Sequence, residues 1–203
     1  MKRISMERNL IKMGTTTVSV VGRNFVVLGA DKKSTLGFMV DSKEARKIYP
    51  LDEHLAITIA GSVGDALSVI RLLRAQFKLY RMERGKISVR AAATFLSNVL
   101  HNSRFFPYYT QFIIAGVDER GAQIYSLDPL GGIDEKDKFY STGSGSPFAY
   151  GVLEAGYRED IPEREAIDLV RKALKSAIER DIGSGGKGIN IVVIDENGYR
   201  EVE

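Results

Sequence analysis

Gly14-Thr15-Thr16-Thr17 marks a place in this chain where breaking one bond would create new chemistry. A threonine hydroxyl is a weak nucleophile without a base beside it, and a threonine at a chain start carries that base in its own α-amine. As an amide, the same nitrogen cannot accept a proton. As a free amine its ordinary pKa of about 7.7–8.0 lies close to working pH. A cut before Thr15 would therefore switch the residue on. The other reading of these residues is that three β-branched side chains merely open a strand.

Parts that suit such a nucleophile lie elsewhere in the chain. Asp31, in ADKKST, closes a strand expected to lie beside the first one. Lys47, in EARKIYP, would lower the pKa of a nearby amine by like-charge repulsion, while Asp31 keeps the lysine itself charged. Taken singly, each reads as a solvated surface charge. AGSVGD at 60–65 puts glycines where a strand hands over to a helix, so its backbone N–H groups can face a developing oxyanion, or it is simply a tight turn. Ser144 in STGSGSP, and Asp181 and Ser184 in RDIGSGG, sit in polar glycine loops of the kind that also cap helices.

Composition removes several other chemistries. The 203 residues include no cysteine, which excludes disulfides, thiolate metal sites, iron–sulfur clusters and a cysteine nucleophile. The two histidines, His54 and His101, stand in unlike contexts, leaving little from which to build a metal site or a Ser-His-Asp relay. The net charge of +3 resides in residues 1–14, where Lys2, Arg3, Arg8 and Lys12 face Glu7 alone. The rest of the chain is balanced and lacks the basic stripe of a nucleic-acid binder, so no nucleic-acid partner is expected. The longest apolar runs, such as FVVLGA at 25–30, fall far short of the ~20 residues of a membrane helix. The first residues also lack the apolar stretch of a secretory signal. A cytoplasmic location without a membrane partner is the expectation.

The elements that must hold these residues follow from periodicity. TTTVSVVG and FVVLGAD, joined across Arg23-Asn24, predict a β-hairpin, HLAITIA at 54–60 a buried strand, and the stretch 38–49 shorter ones. From Ser62 the period changes, and Val63, Ala66, Leu67, Ile70, Leu73, Phe77 and Tyr80 fall on one face of a helix that Gly85 ends. A second helix runs from Ser88 to about His101 on Ala92, Phe95, Leu96, Val99 and Leu100. Strands are predicted near 110–117 and 121–127, a helix over 147–157, and another opened by Pro162 with the stripe Ala166, Ile167, Val170, Ala173, Leu174 and Ile178. INIVVID, the turn Asn197-Gly198 and YREV close the chain. Helix pairs and antiparallel hairpins do not suit a parallel βαβ sheet. They predict an α+β fold, a four-layer αββα sandwich of two antiparallel sheets flanked by helix pairs. One domain over 15–203 would follow a basic leader, 1–14.

In order and spacing, GTTTVSV, ADKKST, EARKIYP, AGSVGD, STGSGSPFAYGVLE and RDIGSGG resemble a proteasome β subunit of the archaeal type, from Thr15 to the C-terminus. The resemblance implies the N-terminal nucleophile hydrolase fold and a threonine endopeptidase. Its leader, residues 1–14, would be removed autocatalytically between Gly14 and Thr15, leaving Thr15 as nucleophile. Asp31 and Lys47 match the acidic residue and lysine beside the nucleophile. Ser144, Asp181 and Ser184 match the groups near its amine, and Gly61 matches the glycine whose N–H serves the oxyanion hole. Thr35 falls on the residue whose backbone pairs with an extended peptide by strand addition. Ser34, Ala45, Ile59 and Val63 fall on the substrate side-chain pocket, and their small or apolar character implies cleavage after apolar residues.

The same resemblance implies seven-membered β rings stacked with α-subunit rings as α7β7β7α7, and an ATP-driven unfolding ring as regulator. Unfolded polypeptide would be the substrate, with no metal or organic cofactor. The chain departs from the family pattern at Ser19, where glycine is usual, and at Lys33 and Ser34, where arginine and alanine are common. Two other assignments are a bacterial two-ring relative, whose chains are shorter, and a ring subunit that assembles with its leader attached and does not catalyse.

Overall fold

The computed structural model describes residues 14–203; the predicted leader, apart from Gly14, lies outside the described residues. Six strands come first: β1 (Thr17–Val21), β2 (Val26–Asp31), β3 (Ser34–Leu36), β4 (Met39–Ser42), β5 (Ile48–Asp52) and β6 (Leu55–Gly61). Helices α1 (Val63–Arg84) and α2 (Val89–Asn102) follow, then β7 (Thr110–Asp118), β8 (Gly121–Leu127), β9 (Ile133–Glu135) and β10 (Phe139–Thr142). Helices α3 (Ser146–Gly156) and α4 (Glu163–Arg180) precede the final hairpin of β11 (Ile189–Asp195) and β12 (Gly198–Glu201).

Two five-stranded antiparallel sheets result, ordered β10-β1-β2-β11-β12 and β5-β6-β7-β8-β9, while β3 and β4 form a separate ribbon. The alternation of a strand explains how both faces are filled. Along β2, Val26, Leu28 and Ala30 turn toward the other sheet and join Ile48, Ala56, Ile113, Ile124, Val192 and Ile194 in a core between the sheets. Val27, with Val18 and Val20 of β1, turns outward against Ala166, Val170, Ala173 and Leu174 of α4. The second sheet packs Ile57, Phe112 and Ile114 against Ile70, Leu73 and Phe77 of α1 and Ala92 and Leu96 of α2. Three cores therefore separate four layers. This is the αββα sandwich expected from the element order.

Local signals account for the helix ends. The Ser62 hydroxyl accepts from the Asp65 N–H at 3.4 Å, Ser88 does the same for Ala91 at 3.2 Å, and Gly85 closes α1 with φ of 87°. The apolar face of α1 differs slightly from the expected one: Val69 is buried, whereas Val63 and Tyr80 are exposed. Pro50 lies in β5, an edge strand, beside a register shift between Pro50 and Asp52, which is where a residue without an N–H is tolerated. Among the described residues, no helix is long and apolar enough to cross a membrane.

Candidate active site

Asp31 ends β2 with no solvent exposure, and a buried carboxylate must find donors for its lone pairs. It finds four. Oδ1 accepts from Lys47 Nζ at 2.7 Å and from the Thr16 N–H at 2.9 Å, and Oδ2 accepts from the N–H groups of Gly185 at 2.9 Å and Lys33 at 3.1 Å. Lys47 is itself buried, just before β5. Burial pushes its ammonium below the ordinary lysine range, and the adjoining Asp31 carboxylate pushes partly back. The two charges that read singly as surface groups are thus one buried ion pair.

Thr15 lies beside this pair at the entry to β1, 4% exposed. Its backbone N–H points to Ser144 Oγ at 3.3 Å. Ser144, between β10 and α3, donates to Asp181 Oδ2 at 2.6 Å, and Ser184 donates to the same oxygen at 2.6 Å. Asp181 caps the end of α4, its N–H bonded to the Ala177 carbonyl, so the helix end aims the carboxylate at both serines. Ser184 also meets Thr16 Oγ1 at 2.6 Å. The structure brings together Thr15, Asp31, Lys47, Ser144, Asp181 and Ser184 from loops that the sequence keeps far apart.

The remaining predicted positions converge on the other side of Thr15. Ser34, Ala45, Ile59 and Val63 line one small cavity of about 20 Å³ together with Gly14, Thr15, Lys47 and Gly61. Arg46, which falls outside the motif positions expected to line it, joins its wall. The Ser34 hydroxyl is not free toward this cavity, because it donates to Asp41 Oδ2 at 2.8 Å. Gly61 also lines a second opening of about 300 Å³ with Ser144, Thr110 and Tyr109, so it stands between the two. Gly61 has φ of 128°, and a Cβ there would lie 2.3 Å from the Tyr109 carbonyl oxygen, so only glycine fits. Thr35, expected to act through its backbone, also presents Oγ1 to the Gly14 N–H at 3.2 Å.

One supporting feature was not foreseen from sequence. Thr58 Oγ1 donates to Thr17 Oγ1 at 3.1 Å, and Thr17 meets Thr142 at 2.6 Å, a chain of buried hydroxyls joining the two sheets beneath Thr15. Ser19, the departure from the family's usual glycine, is likewise buried and donates to the Tyr140 carbonyl at 3.1 Å. Period-two alternation carries the available signal, since it puts Thr17 and Ser19 on the face opposite Val18 and Val20. The arrangement as a whole can activate a hydroxyl: a charged pair and a polar triad flank one residue whose nitrogen and side chain share the site.

The four-layer αββα sandwich of two antiparallel sheets is the fold of the N-terminal nucleophile hydrolases. Comparison with known proteins narrows the class: the family model described as proteasome subunit matches residues 11–194. The chain is 53% identical over 195 residues to a protein named proteasome subunit beta from Methanocaldococcus fervens, covering 95% of this chain and 87% of the relative. It is 53% identical over 190 residues to proteasome subunit beta 1 of Thermococcus onnurineus, covering 93% and 92% respectively. With proteasome subunit beta of Methanospirillum hungatei it shares 48% identity over 198 residues, covering 97% and 94%. The chain belongs to the proteasome subunit family, as a β subunit of archaeal type and hence a proteolytic component of a proteasome core particle.

Proposed function

We propose that this subunit is a threonine endopeptidase whose nucleophile is Thr15, freed by autocatalytic removal of residues 1–14. The observation that carries the reading is the Thr15 nitrogen held 3.3 Å from Ser144 Oγ, on a residue that shares a cavity with Lys47. In the self-cut, the Thr15 hydroxyl oxygen adds to the Gly14 carbonyl carbon and the Gly14–Thr15 C–N bond breaks. The hydroxyl proton ends on the released nitrogen. Water then hydrolyses the resulting ester, leaving a Gly14 carboxyl group and Thr15 with both its amine and its hydroxyl.

Turnover reuses the same geometry. The freed amine takes the hydroxyl proton as Thr15 attacks a substrate carbonyl, and the Gly61 N–H holds the oxyanion. The substrate C–N bond then breaks as the Thr15 ammonium returns the proton to the leaving amine nitrogen, leaving an acyl-enzyme ester that water hydrolyses to release the acid and restore the Thr15 hydroxyl. The Lys47 charge lowers the pKa of the amine, which favours its neutral, proton-accepting form. Every group this sequence of steps needs belongs to the chain or is water.

Apolar side chains that stand open on the single chain, among them Phe38, Phe105, Phe106 and Ile182, support extensive packing against other subunits. The assembly we propose is α7β7β7α7, with the active sites enclosed and an ATP-driven ring feeding unfolded polypeptide in the cytoplasm. The test is the intact mass of the subunit in purified particles, made with and without a co-expressed α chain. Active particles should hold a chain beginning at Thr15. Full activity in particles whose every β chain still carries its leader would overturn the proposal.

The pocket positions make a second prediction. Ile59 and Val63 are apolar and Ala45 is small, and since the Lys47 charge is already paired with Asp31 and no lining residue is acidic, the wall offers a cationic side chain no partner. Peptides cleaved after leucine or tyrosine should turn over faster than those cleaved after arginine. Faster release after arginine, measured as kcat/KM on matched peptides, would count against this assignment.

A further inference from the structure

The residue before the proposed cut meets an unusual surface. A Cβ built on Gly14 would lie 1.9 Å from the Gly183 Cα and 2.5 Å from its carbonyl carbon. A Cβ built on Gly183 would lie 2.3 Å from the Gly14 Cα. The two residues therefore pack backbone on backbone, with no room for a carbon atom on either side. Gly183 is not in the left-handed region of φ, so its need for glycine here is steric rather than conformational. On the opposite side, Gly14 is tied down by its N–H, which donates to Thr35 Oγ1 at 3.2 Å within a buried contact.

We infer that Gly183, together with the Thr35 hydroxyl, forms a cradle that admits only glycine at position 14 and thereby fixes which peptide bond the chain cuts in itself. This rests on the self-cleavage reading above. The electrophile of that reaction is the Gly14 carbonyl carbon, so whatever fixes Gly14 fixes the approach of the Thr15 hydroxyl to it. A side chain at either glycine displaces the carbonyl by the width of a methyl group. The cradle also chooses among the three successive threonines, because only the bond before Thr15 follows a residue without a side chain. Gly183 is a positioning residue chiefly for the self-cut, since two of the three nearest approaches of a built Cβ, at 2.3 and 3.3 Å, are to Gly14. Once residues 1–14 leave, a Gly183 Cβ would still approach Ser144 Oγ to 2.9 Å, and the Gly183 N–H still donates to Asp181 Oδ1 at 3.2 Å, so turnover by the trimmed chain falls as well, but by less than processing does.

The test separates self-cleavage from turnover in one variant. Gly183→Ala in the full chain, co-expressed with its α partner, should slow leader removal by about 100-fold or more, read by intact mass over time. The same variant, produced as a fusion and released with Thr15 already first, should hydrolyse peptides within about tenfold of a wild-type chain made the same way. Gly14→Ala alone should also block processing, and adding Gly183→Ala to it should cost little more, since both remove one shared contact. Leader loss at the wild-type rate in Gly183→Ala would overturn the inference. So would a pre-trimmed Gly183→Ala chain as impaired in peptide turnover as the full-length variant is in processing, because Gly183 would then serve the site generally. A pre-trimmed wild-type chain without peptide turnover would overturn the nucleophile reading itself, and this inference with it.

Discussion

The Thr15→Ala chain is expected to lose peptide turnover and to keep residues 1–14 in every copy. Both losses have one cause, because the hydroxyl that attacks Gly14 in the precursor is the one that attacks substrate afterwards. Removing a catalytic hydroxyl from a hydrolase of this general kind costs on the order of 10⁶-fold in kcat. The fold should survive, since the substitution removes a hydroxyl and a methyl from one residue at the mouth of a cavity and breaks none of the hydrogen bonds made by its backbone. Peptide hydrolysis and intact mass, measured on the same particles, check the two halves. A Thr15→Ala particle that still turns over peptide would remove the nucleophile assignment.

Lys47→Ala should fail in a different way, losing stability and activity together. Asp31 would keep its three N–H donors and lose the one charged partner it has among the described residues, while remaining fully buried. Removing one member of a buried ion pair costs about 3–5 kcal/mol, because the charge left behind has neither water nor a counter-ion. Denaturant unfolding should show that loss as a lower midpoint. To distinguish a role in chemistry from a role in folding, the pair can be removed as a unit. Asp31→Asn combined with Lys47→Met should recover part of the stability, since both charges go at once while the amide NH2 can no longer accept from a backbone N–H, yet leave processing and turnover impaired by about 100-fold or more. Recovery of turnover along with stability in the double variant would show that the pair is only a brace.

The layers were readable because each element carries its own period and its own punctuation. Ser62, Ser88 and Gly85 fall at the helix ends they signal, and β1 and β2 pair as the hairpin their β-branched runs predict. What escaped was short or dependent on distant partners. β9 and β10, at three and four residues, are too brief to show a period, and β10 exists because β1 offers it an open edge. β3 escaped for the same reason, since its three residues pair only with β4. Near the site, Asp31 and Lys47 could be paired on paper by their chemistry. The backbone donors from Lys33 and Gly185, the Thr58–Thr17–Thr142 hydroxyl chain and the seating of Gly14 on Gly183 could not, because each is created by two segments meeting in space. No spacing along one chain encodes a contact of that kind.

The four donors of Asp31 come from four stretches of chain: the entry to β1, the loop after β2, the lysine ahead of β5 and the loop before β11. One carboxylate thus ties the site to strands in both sheets, and none of these segments can fray without opening a buried charge to solvent. Heating such a particle leaves no temperature band in which a sound scaffold carries scrambled machinery; the catalytic signal and the calorimetric transition should vanish as one event.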